Sequence, residues 1–420
     1  MTPDRDALYQ AICAHPNEDT PRLAFADLVE EEGDCARAAF IRTQVELART
    51  PDYDPLWVKC RQFDPAALTG WAMAHTLPAV PPGFSWRHFA FRRGFPWGVA
   101  AEADGFDDRL PELLAAAPVQ ALSFDNRYRP DLAALADCPH LARLRRLEFS
   151  TARFDADDLA RLGASPHAEH LAELAFTHDG IDAGGLQALA GSPLFPRLEV
   201  LELGSNVIPP ALLVDALAAA REPGNLRKLS LPFNRIPHED APQLFALPVV
   251  QGLTHLDLSN NRLDVDGVVA LAESRAIRGL RVLNLSKALP GVPGVKAIAE
   301  AGGFAGVRSL DLSENRLGPV AVGLLAKAPG ARGLRVLNLA NNSITDAGAE
   351  ALAGARNLAG LLELDLTDAE FGDAGAIALA ESEHLGGLLR LVLHRSSGRR
   401  LGDAARAALL ERFGERVCLS

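Results

Sequence analysis

The sequence predicts an α/β solenoid, in which a curved parallel β-sheet lies on the concave side and helices lie on the convex side. The first observation is a repeat that starts at Leu144: ten similar segments follow one another every 27 residues, with one step of 28. The second is that each segment opens with apolar residues at alternate positions and continues with apolar residues at helical spacing. Such regular copies are typical of stacked units that each bury an apolar face against the next. The opening residues are Leu144, Leu171, Leu198, Leu226, Leu253, Leu280, Val307, Leu334, Leu361 and Leu388.

The segment that begins at Leu253 illustrates the predicted elements. Alternating apolar residues up to Leu258 predict a short strand, and Asn261 and Leu263 follow in a turn. The stretch after Asp266 has helical spacing. Stacking one strand, one turn and one helix every 27 residues places the strands side by side in a parallel sheet. Because helices are wider than strands, the stack must curve with the sheet inside.

The chain before the regular repeats has a different pattern. Thr20-Pro21 is a typical helix start and Gly33 a typical helix end, so this part is predicted to be helical. Val119, Leu122 and Phe124 already have the leucine spacing of the later repeats. We therefore expect four parts: a helical capping domain at 1–93, degenerate first repeats at 94–143, ten repeats at 144–414 and a closing segment at 415–420.

The composition of the chain argues against some classes of binding partner. The net charge of −12 argues against binding to nucleic acid or to anionic membranes and favours a basic partner. The five cysteines form no C-x-x-C pair, which indicates reduced thiols and a cytoplasmic protein. No signal peptide and no membrane-spanning stretch are predicted. We expect a monomer without a cofactor.

Asparagines recur at one position of the turn after the strand. An amide can donate and accept hydrogen bonds, so it can satisfy backbone groups of two neighbouring turns at once. We expect these side chains to be structural, and the loss of one to cost about 1–3 kcal/mol. This asparagine ladder consists of Asn206, Asn234, Asn261, Asn315 and Asn342.

The candidate binding site lies on the concave side of the predicted sheet. Carboxylates and amides dominate the strand positions between and beside the inward leucines, and such a surface attracts a basic protein. The alternative is that these polar residues only keep an exposed sheet soluble. We call this set the strand face, and its candidate partner-binding residues are Glu202, Asp257, Asn284, Asp311, Asn338, Glu363 and Asp365.

No catalytic or metal site is predicted. The stretch from His167 to His170 is the nearest to a metal motif, but it precedes a strand and lacks the helical spacing of two zinc ligands. The sequence has no phosphate-binding P-loop and no nucleophile elbow. We therefore expect a protein that is not an enzyme.

The repeats resemble leucine-rich repeats of the ribonuclease-inhibitor subtype. The stretches that carry the resemblance are Leu253 to Leu263 (LTHLDLSNNRL) and Leu334 to Ile344 (LRVLNLANNSI). The resemblance implies a curved solenoid that acts as a protein-interaction scaffold. Because the subtype includes activating proteins of small GTPases, it also implies an alternative function as a GTPase regulator. The candidate residues for that function follow the asparagine position: Arg235, Arg262 and Arg316.

The N-terminus separately resembles the bacterial repeat-companion domain, which is typically found beside repeat arrays. The matching stretches are Ala11 to Asp27, Glu30 to Asp34 and Ala38 to Leu47. This chain departs from the family at Leu28-Val29, where Trp-Leu is usual. The resemblance implies no activity of its own, and capping of the repeat array is the simplest role.

Overall fold

A computed structural model describes residues 2–60, 78–87, 91–102, 104–124, 129–178, 180–206, 208–220, 224–394 and 400–419. The chain divides into two compact units, Met1–Leu201 and Glu202–Ser420. Each unit is described separately below.

Strands and helices alternate along the chain after an initial group of helices. The strands are β1 (Phe84–Trp86), β2 (Phe91–Arg92), β3 (Phe95–Pro96), β4 (Gly98–Ala101), β5 (Ala121–Phe124), β6 (Arg146–Ser150), β7 (Glu173–Thr177), β8 (Val200–Glu202), β9 (Lys228–Ser230), β10 (His255–Asp257), β11 (Val282–Asn284), β12 (Ser309–Asp311), β13 (Val336–Asn338), β14 (Glu363–Asp365), β15 (Arg390–Leu393) and β16 (Val417–Leu419).

The α-helices are α1 (Pro3–Ala14), α2 (Thr20–Glu31), α3 (Cys35–Leu47), α4 (Pro55–Cys60), α5 (Phe106–Ala116), α6 (Leu132–Asp137), α7 (Ala156–Gly163), α8 (Ala183–Ala190), α9 (Pro210–Ala218), α10 (Ala241–Ala246), α11 (Pro248–Gln251), α12 (Asp264–Glu273), α13 (Gly291–Glu300), α14 (Pro319–Lys327), α15 (Asp346–Ala353), α16 (Asp373–Glu381) and α17 (Asp403–Phe413). Short 3₁₀ turns precede many of the strands.

The first unit joins a small helical core to the first strands. Phe25 of α2 packs against Phe95 of β3 with ring centroids 5.3 Å apart, and both are buried with Ile12 and Ile41. Strand β1 pairs antiparallel with β4, and β4 to β7 then pair in parallel. The helices of the N-terminus therefore share an apolar core with the strand that precedes the sheet.

The second unit has a parallel sheet that repeats one register. In β9 to β15, the central leucines of neighbouring strands pair with each other and are buried. Residues on either side of each leucine are mostly half-buried, as expected where alternate side chains point to opposite faces. The helices between the strands pack on the helix of the next repeat. The paired leucines are Leu229, Leu256, Leu283, Leu310, Leu337, Leu364 and Leu391.

The predicted α/β class, with a parallel sheet and helices between its strands, is confirmed. A period of 27 residues has a simple physical basis here. Every leucine removed from water contributes roughly 1.5–3 kcal/mol, and the same position of each repeat supplies one. The one step of 28 residues, from Leu198 to Leu226, leaves the ladder in register, since Leu229 still pairs with Leu256.

Candidate interaction surface on the strands

The strand face forms one continuous column in the second unit. Asp257 pairs with Asn284 of the next strand, and Asn284 pairs with Asp311. The same register continues through Asn338 to Asp365. All five side chains are half-buried. Neighbouring strands lie about 4.8 Å apart, so carboxylates alternate with amides and successive carboxylates are about 10 Å apart.

Each member of this column also stabilises its own turn. One side-chain oxygen of Asp257 accepts a hydrogen bond from the backbone N–H of Ser259 at 2.9 Å. Asp311 accepts from Ser313 in the same way at 2.8 Å. Short side chains with an oxygen at this position mimic a backbone turn, which explains why Asp and Asn both occur here. The equivalent bonds of Asn284, Asn338 and Asp365 are 2.8–3.0 Å long.

The second carboxylate oxygens point toward neighbouring strands or solvent. Asp311 accepts a hydrogen bond from the Asn338 amide at 2.9 Å, and Asp257 accepts one from the Ser230 hydroxyl at 3.3 Å. Within the described part of the chain, Asp257, Asp311 and Asp365 form no ion pair with a lysine or arginine. The centre of the strand face is therefore a row of charged groups with neutral hydrogen-bond partners.

Glu202 and Glu363 differ from these aspartates because each forms an ion pair. Glu202 forms an ion pair with Lys228 at 2.8 Å. Glu363 is buried and forms an ion pair with Arg390 of the next strand. Both carboxylates are thus paired with a cation one repeat away, and the negative charge available to a partner is that of Asp257, Asp311 and Asp365.

The asparagine ladder is buried behind the turns. The Asn261 Oδ1 accepts hydrogen bonds from the backbone N–H groups of Asn234 at 3.1 Å and Ile236 at 3.0 Å, both in the preceding repeat. Its Nδ2 donates to the Leu231 carbonyl at 2.8 Å and the Leu258 carbonyl at 3.0 Å. One side chain therefore joins the turns of two repeats.

The other ladder residues occupy equivalent places. Asn342 accepts from two backbone N–H groups of the preceding turn and donates to the carbonyls of Leu312 and Leu339. Asn315 accepts from Leu289 and donates to Leu285 and Leu312. Asn234 and Asn206 are also buried, and both donate to carbonyls of their turns.

Phe233 is a surface feature that the sequence analysis missed. Its side chain is 56% exposed, and its backbone has φ +58°, in the left-handed region that a bulky residue rarely adopts. Asn260 and Asn341, which tolerate this conformation well, occupy the same position in later repeats. The available signal was a phenylalanine in a turn position where asparagine is favoured.

The side chains considered for catalysis are dispersed. His167 and His170 lie in the turn between α7 and β7, away from any helix. Across the described ranges, no group of three His, Cys, Asp or Glu side chains could hold a metal ion. Arg235, Arg262 and Arg316 are exposed in the turns that follow β9, β10 and β12.

Comparison with known proteins identifies the repeats. A family model described as "Leucine Rich repeat" matches residues 252–272, 332–353 and 361–380. No curated protein has a sequence that matches this chain. These three segments are therefore similar to leucine-rich repeats, and each begins at or just before the first leucine of a repeat.

Three solved structures show similarity to this chain. A chain of the yeast Rad7 and Elc1 complex is 13% identical with a TM-score of 0.51, and the match covers 94% of this chain and 90% of that one. An internalin from Listeria monocytogenes is 17% identical with a TM-score of 0.43, covering 75% and 85%. The mouse RP105/MD-1 complex gives 16% identity, a TM-score of 0.39, and coverage of 72% and 55%. At these identities the likeness concerns the fold alone.

Where the chain is described, none of its helices combines the length and the apolar character that crossing a membrane requires.

Proposed function

We propose that this chain is a non-enzymatic scaffold that binds a basic protein partner on the strand face of the second unit. The observation that supports the proposal is the row of Asp257, Asp311 and Asp365, which recurs on every second strand and has no lysine or arginine counter-ion among the residues that the structure describes. Leucine-rich repeats are also an architecture in which successive strands offer an extended row of side chains to a partner.

The spacing of the three aspartates predicts the spacing of the cationic side chains on the partner. Carboxylates about 10 Å apart match side chains three residues apart in a polyproline II segment, which has about three residues per turn and rises about 3.1 Å per residue, so that every third side chain lies on the same face. A segment that crosses the strands with Lys or Arg at every third position would meet one carboxylate at each. Half-burial of the three aspartates strengthens such pairs relative to pairs that are fully exposed to solvent.

Phe233 offers an apolar anchor in the turn after β9. A large exposed aromatic side chain near a polar surface is typical of residues that dominate the affinity of an interface. We therefore include Phe233 in the proposed binding surface together with the three aspartates.

The test is a comparison of captured partners. Wild-type protein and the variant Asp257→Lys, Asp311→Lys, Asp365→Lys are used as baits in the native cell, and bound proteins are identified by mass spectrometry. The control variant is Glu273→Lys, Glu350→Lys, Glu381→Lys, which makes the same charge change on exposed positions of α12, α15 and α16. We expect the partner to be lost only from the strand-face variant. Equal recovery by all three baits removes the strand face from the proposal.

A second candidate function is regulation of a small GTPase. It is supported by Arg235, Arg262 and Arg316, which are exposed and, among the described residues, take part in no ion pair. An exposed arginine can stabilise the charge that develops on a transferred phosphoryl group. The test is GTP hydrolysis by small GTPases of the same organism, measured with wild-type protein and with the three arginines changed to alanine. Absence of stimulation contradicts this candidate.

We also propose a repeat subtype, an N-terminal domain family and a cellular location for this chain. The 27-residue period and the helices that begin at Asp-x-Gly stretches, such as those at Asp346 and Asp373, support the ribonuclease-inhibitor subtype. The three N-terminal helices support a repeat-companion domain. All five cysteines are free thiols, which supports a cytoplasmic location.

A further inference from the structure

A cluster of arginines lines a small cavity in the first unit, where the loop after α1 faces β3 and the start of β6. The cavity has a volume of about 150 Å³. Its lining contains arginines and neutral residues only, with no carboxylate: Pro16, Asn17, Arg22, Arg92, Arg93, Trp97, Gln120 and Arg145.

Arg22 is the deepest member of this cluster. Its side chain is only 3% exposed, and its Nη2 donates to the Pro16 carbonyl at 2.7 Å. In the described ranges, its Nε and Nη1 have no hydrogen-bond partner, and neither has the buried indole Nε1 of Trp97. Unpaired buried donors are costly, and each of these three atoms requires an acceptor.

The carboxylates around the cavity are shared with arginines outside it. Asp19 lies 3.4 Å from Arg93 but also binds Arg49 at 2.5 Å. Glu173 contacts Arg92 and Arg145 at 3.3–3.5 Å and also contacts Arg146. Arg22 has no carboxylate within ion-pair distance among the described residues. The lining therefore holds positive charge in excess of the negative charge that reaches it.

The arginines also weaken one another's charged state. Burial lowers the pKa of Arg22 to about 10, and the neighbouring Arg93 adds to this effect, which Asp19 opposes. Burial lowers the pKa of Arg92 as well, with Glu173 opposing the shift and Arg145 and Arg93 adding to it. An anion in the cavity would oppose both shifts, because a nearby negative charge stabilises the charged form of a guanidinium group.

We propose that this cavity, which we call the arginine pocket, binds the phosphoryl group of inorganic phosphate or of a small phosphate ester. A phosphoryl group carries about two negative charges and presents only acceptor oxygens, which suits a lining of four guanidinium groups and an indole N–H. A volume of 150 Å³ is that of about five waters, the size range of a tetrahedral oxyanion.

A second cavity beside the arginine pocket could hold the organic group of a phosphate ester. It has a volume of about 590 Å³ and shares Pro16, Asn17, Gln120 and Arg145 with the arginine pocket. Its other polar lining residues are His15, Glu18, Arg143 and His170. A phosphate held by the arginine pocket could therefore extend an organic group into this space.

The experiment is isothermal titration calorimetry of the full chain with inorganic phosphate, at constant ionic strength in chloride. We expect saturable binding by the wild-type protein. Arg22→Gln and Arg93→Gln should each weaken it by about tenfold or more, because each removes a charge-assisted donor. The matched control is Arg42→Gln, which removes the same charge from an exposed arginine that pairs with Asp27 and Glu30. It should leave the affinity unchanged within about twofold.

Two further measurements distinguish inorganic phosphate from a phosphate ester and allow for a variant that does not fold. Glucose 6-phosphate binding tighter than inorganic phosphate indicates an ester, whereas equal or weaker binding indicates free phosphate. If circular dichroism shows that Arg22→Gln does not fold, Arg93→Gln and Arg92→Gln decide the result. The proposal is overturned if wild-type protein shows no saturable phosphate binding, or if the folded pocket variants bind phosphate as the wild type does.

Discussion

At the residue scale, the buried side chains of the asparagine ladder are expected to contribute to the free energy of unfolding. The side chain of Asn261 is buried and makes five hydrogen bonds to backbone groups of two neighbouring turns. We expect Asn261→Ala to lower the free energy of unfolding by about 1–3 kcal/mol. Urea denaturation followed by circular dichroism measures the change.

The control for this prediction is Asn357→Ala. Asn357 also hydrogen bonds one repeat back, to the Lys327 carbonyl at 2.8 Å, but it does so at the exposed surface. Its loss should change the free energy of unfolding by no more than about 0.5 kcal/mol. Equal effects of the two substitutions would show that the ladder contributes no more than a surface hydrogen bond.

The Cys13 thiol is a second residue whose surroundings make a specific prediction. Burial raises its pKa to about 11, and Arg143 only partly opposes the shift. The thiol is therefore protonated at pH 8 and should react with iodoacetamide far more slowly than the exposed Cys35. Since the folded state binds this proton more tightly, its contribution to stability is present below pH 9, the ordinary thiol pKa, and is lost as the pH rises toward 11.

Peptide mass spectrometry after timed alkylation measures both rates. The Cys13→Ala variant is the control for stability, because it should lose the part of the pH dependence that lies between 9 and 11. Equal alkylation of Cys13 and Cys35 in the native protein would contradict the prediction.

The candidate sites differ in how far the sequence predicts them. Asp257 and Asp311 are two periods apart, so the repeat alone places them in one row. The partner of Glu363 lies one period away at Arg390, but burial of that pair depends on side-chain packing. The arginine pocket joins Arg22 to Arg145 through an irregular part of the chain, where no period relates distant residues.

At the element scale, the glycine near the start of α16 allows a close approach to the preceding helix, α15. A Cβ at Gly375 of α16 would lie 2.8 Å from the Asp346 Oδ1 and 2.9 Å from the Cβ atoms of Ala349 and Phe371. The Asp346 carboxylate accepts hydrogen bonds from the Gly372 and Gly375 N–H groups at 2.7 and 2.8 Å. The side chain that begins α15 therefore caps α16, and glycine leaves space for it.

This packing predicts opposite results for two glycine substitutions. Gly375→Ala should lower the free energy of unfolding by about 1–3 kcal/mol, because the new methyl group displaces the Asp346 cap. Gly354→Ala, at the end of α15, should leave stability unchanged or raise it by up to about 1 kcal/mol, since its nearest neighbour would be 3.5 Å away. Thermal and urea unfolding of both variants provide the measurement, and a stabilised Gly375→Ala would contradict the proposed contact.

Element positions followed the repeat closely, but their ends did not. The strand predicted between Leu253 and Leu258 is His255–Asp257, in the middle of the alternation. The helix predicted from Asp266 begins at Asp264. Apolar spacing reports the buried face of a helix, and the first turn lies before that face. Helix ends are therefore less predictable than helix positions.

At the scale of the whole molecule, the net charge of −12 attracts any cation. The proposal for the strand face instead predicts that a basic partner is attracted by three particular aspartates. The two can be separated with a synthetic peptide that has lysine at every third position. Asp257→Asn, Asp311→Asn, Asp365→Asn and the control Glu273→Gln, Glu350→Gln, Glu381→Gln each raise the net charge by three units, from −12 to −9.

Salt then distinguishes the two sources of attraction. The Debye length falls from about 10 Å at 0.1 M salt to about 3 Å at 1 M, so binding through the aspartate row should weaken steadily as salt increases. Fluorescence anisotropy should give the same salt dependence for the wild type and the control variant. The strand-face variant should bind weakly with little salt dependence. If both variants lose affinity to the same extent, total charge attracts the peptide, and the aspartate row has no specific role.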